Sequence, residues 1–100
     1  MAFDMKADGL SEAIHHHEEL IFEKINDDDA FPEMNRIWEV YYDGPRIYPN
    51  QANQLVHELI DLKERKIKKD ENHLIHTIDR LLAFFSKAYR TEKTIQCISD

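Results

Sequence analysis

Histidines and carboxylates are the side chains of this sequence best suited to acid–base chemistry or metal binding, and their spacing decides whether they can converge. Residues 57–61 begin like the zinc-binding pattern H-E-x-x-H, but Asp61 stands where the second histidine is required. A catalytic zinc ion needs three protein ligands and one open position. His15, His16 and His17 are consecutive, and successive residues of a helix point about 100° apart, so they cannot face one ion. Neither pattern predicts a catalytic metal site.

A metal site inside a helical bundle is the alternative for the remaining histidines. Di-metal bundles use two Glu-x-x-His pairs with further carboxylates. Here Glu12 and His15 form the only such pair. His57, His73 and His76 could converge between neighbouring helices, but no carboxylate is placed beside them on an inward face. We expect no metal, with a three-histidine site as the lesser alternative.

Other catalytic patterns are missing from the sequence. Cys97 is the only cysteine and has no nucleophile signature around it. Gly9 and Gly44 are the only glycines, so there is no glycine-rich phosphate loop. We therefore expect a protein that is not an enzyme and that binds no cofactor.

The charge is concentrated in one half of the chain. The formal net charge is −7. Residues 1–50 contain twelve acidic and four basic residues, whereas residues 51–100 contain eight acidic and nine basic residues. An acidic field attracts basic partners and repels nucleic acid. We expect a protein partner, with no nucleic-acid or membrane partner.

Acidic and aromatic residues occur together in that N-terminal half. Exposed aromatic anchors surrounded by charges are typical of protein interfaces. The alternative is a solvated acidic face with aromatic side chains packed under the 43–45 turn. We favour the interface, and its candidate residues are Glu19, Glu23, Asp27, Asp28, Asp29, Trp38, Tyr41, Tyr42 and Asp43.

Apolar residues recur at helical spacing in four segments, which predicts an all-α fold: a compact bundle of about four helices with a short C-terminal extended or helical tail. The first predicted helix covers residues 11–25, after a loose segment at 1–8. The second begins at Pro32 and the third at Pro49, since proline favours the first helical turn. The fourth carries a broad apolar stripe over residues 74–89.

The ends of the chain complete this interpretation. Residues 91–100 fit either a last helical turn or an extended tail with Ile95 and Cys97 on one side. The N-terminus does not have the pattern of a secretory signal, and no apolar run reaches the ~20 residues of a membrane helix. We expect one helical domain over residues 1–100, located in the cytoplasm.

The stretch from Trp38 to Pro49, WEVYYDGPRIYP, together with LVHEL at 55–59 and TIQCISD at 94–100, resembles the bacterial immunity proteins of colicin and contact-dependent growth inhibition systems. In the helical colicin immunity proteins paired tyrosines open a short third helix, whereas Tyr41 and Tyr42 here end the second predicted helix.

The resemblance implies that the protein neutralises a cognate toxin domain, expected to be a basic nuclease, by occluding its active site. Trp38, Tyr41 and Tyr42 would be the anchors of that interface. The acidic residues of the set above would steer the toxin into place. The alternative is a helical regulator or adaptor that binds a host protein and could also form a homodimer.

Overall fold

Residues 2–15 form a β-hairpin in a computed structural model that describes residues 2–26 and 28–99. Strand β1 spans Ala2–Ala7 and strand β2 spans Leu10–His15. The two residues between them, Asp8 and Gly9, make the turn. Gly9 has a φ of 78°, and turns of this length require such positive values, which glycine adopts without strain.

Helices and two further strands follow the hairpin. A 3-10 turn at His16–Glu18 leads into the one-turn helix α1. The remaining elements, in chain order, are α1 (Leu20–Glu23), α2 (Pro32–Glu39), β3 (Arg46–Ile47), α3 (Pro49–Arg65), α4 (Asn72–Arg90) and β4 (Ile95–Ser99).

The strands form one antiparallel sheet in the order β2-β1-β4-β3. Phe3 lies opposite Ile14 of β2, and Met5 lies opposite Cys97 of β4. Because side chains alternate between the faces of a strand, these four buried residues share one apolar face. The other face carries mainly polar and small side chains, and its one large apolar residue among those described is Ile98, which is 51% exposed.

Helices α3 and α4 pack against each other and cover the apolar face of the sheet. One small internal space of the core is lined by side chains from all three elements: Phe3 and Met5 of β1, Leu59 of α3, and Leu81 and Phe85 of α4. Each of these side chains is fully or almost fully buried. Burying one large apolar side chain contributes about 1.5–3 kcal/mol, so this contact is a main source of stability. Within the described ranges, no helix combines the length and apolar character needed to cross a membrane.

The prediction of an all-α bundle is wrong, because the described chain combines four helices with a four-stranded antiparallel sheet. The error lies in residues 1–25. Leu10 and Ile14 are four residues apart, a spacing that places side chains on one side of a helix and also on one face of a strand. The segment at 2–8, expected to be loose, alternates apolar and polar residues and is the inner strand β1.

The other three helices confirm the sequence interpretation. α2 begins at Pro32 and α3 at Pro49, and both prolines occupy the first turn. The tail, left open between helix and strand, is strand β4, and Ile95 and Cys97 are both buried on its inner side.

Candidate partner-binding surface

A carboxylate from α3 fixes the start of α2, the helix that carries Trp38. Glu58 is 2% exposed. Its two oxygens accept the backbone amides of Glu33, at 3.0 Å, and Met34, at 2.8 Å, and Gln54 Nε2 donates to it at 2.9 Å. First-turn amides have no partner inside their own helix. Glu58 therefore caps α2 from a neighbouring helix. The glutamate of the zinc-like pattern at residues 57–61 thus has a structural role.

Trp38 is held in place by a cluster of aromatic rings. It stacks on Phe22 of α1, with ring centroids 4.9 Å apart and planes 20° apart. Tyr41 packs against it at 5.0 Å and against the Phe22 ring edge-on at 5.7 Å. Phe3 of the sheet in turn stacks on Tyr41 at 4.3 Å. The indole is thus fixed to the core from one side, while 41% of Trp38 remains exposed.

The two predicted tyrosine anchors occupy different environments. Tyr42 is 64% exposed, beside Tyr41 at 5.4 Å. Tyr41 is only 2% exposed, so it supports Trp38 and Tyr42 from beneath. Its hydroxyl has no hydrogen-bond partner among residues 2–26 and 28–99. Burial, with the nearby Glu19 carboxylate, raises the pKa of Tyr41 well above its usual range.

Two of the predicted carboxylates lie beside Trp38. Glu19 and Glu23 line a depression with it, and Glu23 also lines a second depression on the Phe22 side of the indole. The Glu19 side chain is 14% exposed, and the one basic side chain within 4.0 Å of its carboxylate in the described ranges is His16, whose Nδ1 lies 3.4 Å away. Glu23 is exposed and makes no ion pair with any described residue. The carboxylates of Glu19 and Glu23 therefore place negative charge beside the exposed indole of Trp38.

Asp28, Asp29 and Asp43, three further acidic residues of the predicted set, lie in loops outside α1. Asp28, before the start of α2, forms an ion pair with Lys66 at 3.2 Å and accepts the amide of Ala30 at 2.9 Å. That amide bond, together with Lys66, lowers the pKa of Asp28. Asp29 is exposed beside it. Asp43 is exposed next to Tyr42, in the turn that follows α2. Asp27 lies outside the described residues.

We define the Trp38 surface as the described residues that the structure brings together here: Glu19, Leu20, Phe22, Glu23, Trp38 and Tyr42. Leu20 and Phe22 were not among the interface residues predicted from the sequence. Leu20 is 44% exposed although it is a large apolar residue. It falls within the long helix predicted over residues 11–25, which does not form.

A second polar cluster, also missed from the sequence, joins α4 to the edge of the sheet. Glu18 is 7% exposed. Its carboxylate accepts the hydroxyl of Thr77 at 2.6 Å and forms an ion pair with Arg80. Arg80 also pairs with Glu12 at 3.3 Å. Burial alone would raise the pKa of Glu18, but these hydrogen bonds outweigh it, so that pKa is lowered.

These carboxylates also occupy backbone amides of β2, which is an edge strand. Glu12 accepts the amide of Ala13, and Glu18 accepts the amide of His15, both at 3.0 Å. Unpaired amides of an edge strand can pair with a strand of another molecule. The cluster therefore shields this edge and is structural in character.

The histidines and the cysteine form no reactive centre in the described part of the chain. His57, His73 and His76 are exposed on α3 and α4. No group of three or more histidine, cysteine or acidic side chains is arranged to hold a metal ion there. Cys97 is 1% exposed, and burial raises the pKa of its thiol to about 12.

Similarity to other proteins was sought at three levels. Comparison of the chain with protein-family models, with curated proteins and with solved structures found no match at any of them. The Trp38 surface and the charge of the chain are therefore the features that bear on function.

Proposed function

We propose that this is a cytoplasmic bacterial immunity protein, which binds a basic toxin domain through the Trp38 surface and occludes its active site. The α+β fold removes the helical architecture from the resemblance to colicin-type immunity proteins. The single observation that carries the proposal is the exposed, rigidly stacked Trp38 between carboxylates without permanent cationic partners.

A fixed aromatic side chain is an efficient anchor. Binding energy is lost when flexible side chains must be ordered at an interface, and stacking on Phe22 and Tyr41 already orders the indole. Tryptophan and tyrosine are enriched among the few residues that dominate binding energy. Trp38 and Tyr42 satisfy this description, and Tyr41 provides the support beneath them.

The charge distribution suits a basic partner. Glu19 and Glu23 flank the anchor, and the chain carries a net charge of −7. Complementary charge raises association rates to about 10⁸ M⁻¹s⁻¹ or more at low salt. A nuclease domain is basic where it holds phosphate, so an acidic protein can dock over its active site and exclude the substrate without any chemical step.

Co-expression tests the proposal. The protein should be expressed with the product of the reading frame directly upstream, since immunity genes follow their toxin genes. Growth rescue and a stable 1:1 complex are expected. If the neighbour is harmless alone and does not co-purify, immunity is excluded and the adaptor alternative gains.

Two matched variants then locate the surface. Trp38→Ala should weaken the complex by about 2–4 kcal/mol, or roughly 30- to 700-fold in Kd. Tyr89→Ala, on α4, removes an aromatic residue with a similar exposure of 44% and should leave Kd unchanged. Equal losses in both variants would show that the Trp38 surface is not the interface.

A further inference from the structure

A depression beside Trp38 has a shape and polarity that narrow the chemistry of the partner. It has a volume of about 170 Å³ and is lined by His16, Glu19, Leu20, Glu23 and Trp38. Its walls are an aromatic ring and a leucine, whereas its acceptors are two carboxylates. An occupant must therefore combine an apolar, stackable body with positive charge.

The acceptors in this depression are incompletely satisfied. Glu19 is largely buried, but no lysine or arginine of the described residues lies within 4.0 Å of it. Buried polar groups of folded proteins are normally hydrogen-bonded. A donor from outside the chain would complete this arrangement.

Arginine fits these requirements better than lysine. Its guanidinium is planar and weakly hydrated, stacks on aromatic rings, and presents five N–H donors in a fixed arrangement. Lysine offers a compact, strongly hydrated charge and gains less from an aromatic wall. Glu19, which precedes α1, and Glu23, which ends it, both line the depression, so their carboxylates can both accept from one guanidinium.

We propose that the Trp38 depression is a receptor for an arginine side chain of the partner, which stacks on the exposed indole and donates to Glu19 and Glu23. This inference rests on the proposed function, in that it names the partner residue that the same surface recognises. It makes the interface specific for arginine, beyond its general attraction for positive charge.

Trp38 allows a direct test because it is the only tryptophan in the chain. The whole protein is titrated with the peptide acetyl-Gly-Arg-Gly-amide, while tryptophan emission and the indole N–H signal in ¹H–¹⁵N NMR spectra are recorded. We expect saturable changes in both signals, at millimolar peptide. The citrulline peptide, which has a similar shape but no charge, should bind at least about tenfold more weakly, and the lysine peptide more weakly than arginine.

Charge-neutral variants test the two carboxylates. Glu19→Gln and Glu23→Gln should each raise the Kd of the arginine peptide by about three- to tenfold, since each removes a charge-assisted hydrogen bond. Glu64→Gln is the matched control: Glu64 is exposed on α3 and forms no ion pair with any described residue. Glu23 is exposed, so its variant remains informative even if Glu19→Gln disturbs folding.

Several results would overturn the inference. Equal binding of the arginine and lysine peptides, or of the citrulline peptide, would exclude an arginine receptor. So would a flat titration, or equal effects of Glu23→Gln and Glu64→Gln. A toxin complex that depends on Trp38 but survives Glu19→Gln and Glu23→Gln would retain the proposed function and reject the arginine site. If the neighbouring gene product does not co-purify but the arginine peptide still binds, the arginine site is retained and the proposed function is rejected.

Discussion

Replacing Glu58 by alanine should be among the most destabilising single changes in this protein. Its carboxylate caps α2 through the amides of Glu33 and Met34 and also accepts from Gln54. Losing an N-cap costs about 0.5–2 kcal/mol. Leaving a buried donor without a partner costs about 1–3 kcal/mol, and Met34 is 2% exposed.

The expected total loss is about 2–4 kcal/mol of unfolding free energy, a large part of the ~5–15 kcal/mol of a typical domain. At roughly 4–8 °C per kcal/mol for a chain of this size, Tm should fall by about 8–32 °C. Glu58→Gln keeps one acceptor oxygen and should lose about half as much, ~1–2 kcal/mol.

Urea unfolding followed by tryptophan emission and far-UV circular dichroism measures this loss, and Glu64→Ala on the exposed face of α3 is the control. Trp38 lies on the capped helix, so amide exchange at Met34 should accelerate more than exchange in α4. If Glu58→Ala and Glu64→Ala lose similar free energy, the cap contributes little and the reasoning fails.

Three further predictions concern other parts of the molecule. The pKa of Glu18 is lowered in the folded chain, so the ionised carboxylate stabilises the fold above its ordinary pKa of 4.5, and this stabilisation is lost as the pH falls below that value. Glu18→Gln should therefore flatten the dependence of the unfolding free energy on pH between about 5 and 3. Parallel curves for the variant and the parent protein would contradict this. Cys97 should react with iodoacetamide at pH 8 at least ~1000-fold more slowly in the native than in the urea-unfolded protein, because burial excludes the reagent and suppresses formation of the thiolate. Comparable rates would show that β4 opens readily. Asp28→Asn should change the affinity for the partner, measured by calorimetry, by less than about threefold, since the Asp28 carboxylate is already engaged by Lys66 and the Ala30 amide. A loss of affinity as large as that caused by Trp38→Ala would extend the interface to this loop.

The candidate surface was partly accessible from the sequence. Residue type and proximity along the chain predicted Trp38, Tyr42, Glu19 and Glu23 as members. The structure brings Glu19 and Glu23 next to Trp38. The support of that surface was not accessible. Tyr41 has the same residue type as the exposed Tyr42, and only tertiary packing places Tyr41 and Phe22 against the indole.

The hairpin carried one local signal that could have found it. Asp8-Gly9 between alternating apolar residues is typical of a two-residue hairpin turn. The spacing of Leu10 and Ile14 pointed equally to helix and strand, and six residues are too few for periodicity to decide. Strand β1 becomes an inner strand only by pairing with β4, at the opposite end of the chain.

The sequence by itself determined what depends on neighbouring residues: the acidic character of the N-terminal half, the positions of α2, α3 and α4, and the presence of exposed aromatic side chains near the 43–45 turn. Helices satisfy their backbone hydrogen bonds locally, so apolar spacing and the prolines at 32 and 49 were sufficient to find them. Tertiary structure alone decided the sheet, the cap that Glu58 supplies to α2 and the pairing of Glu18 with Arg80. Each of these joins groups that are distant in the chain, and hydrogen-bond partners of that kind leave no periodic pattern in the sequence.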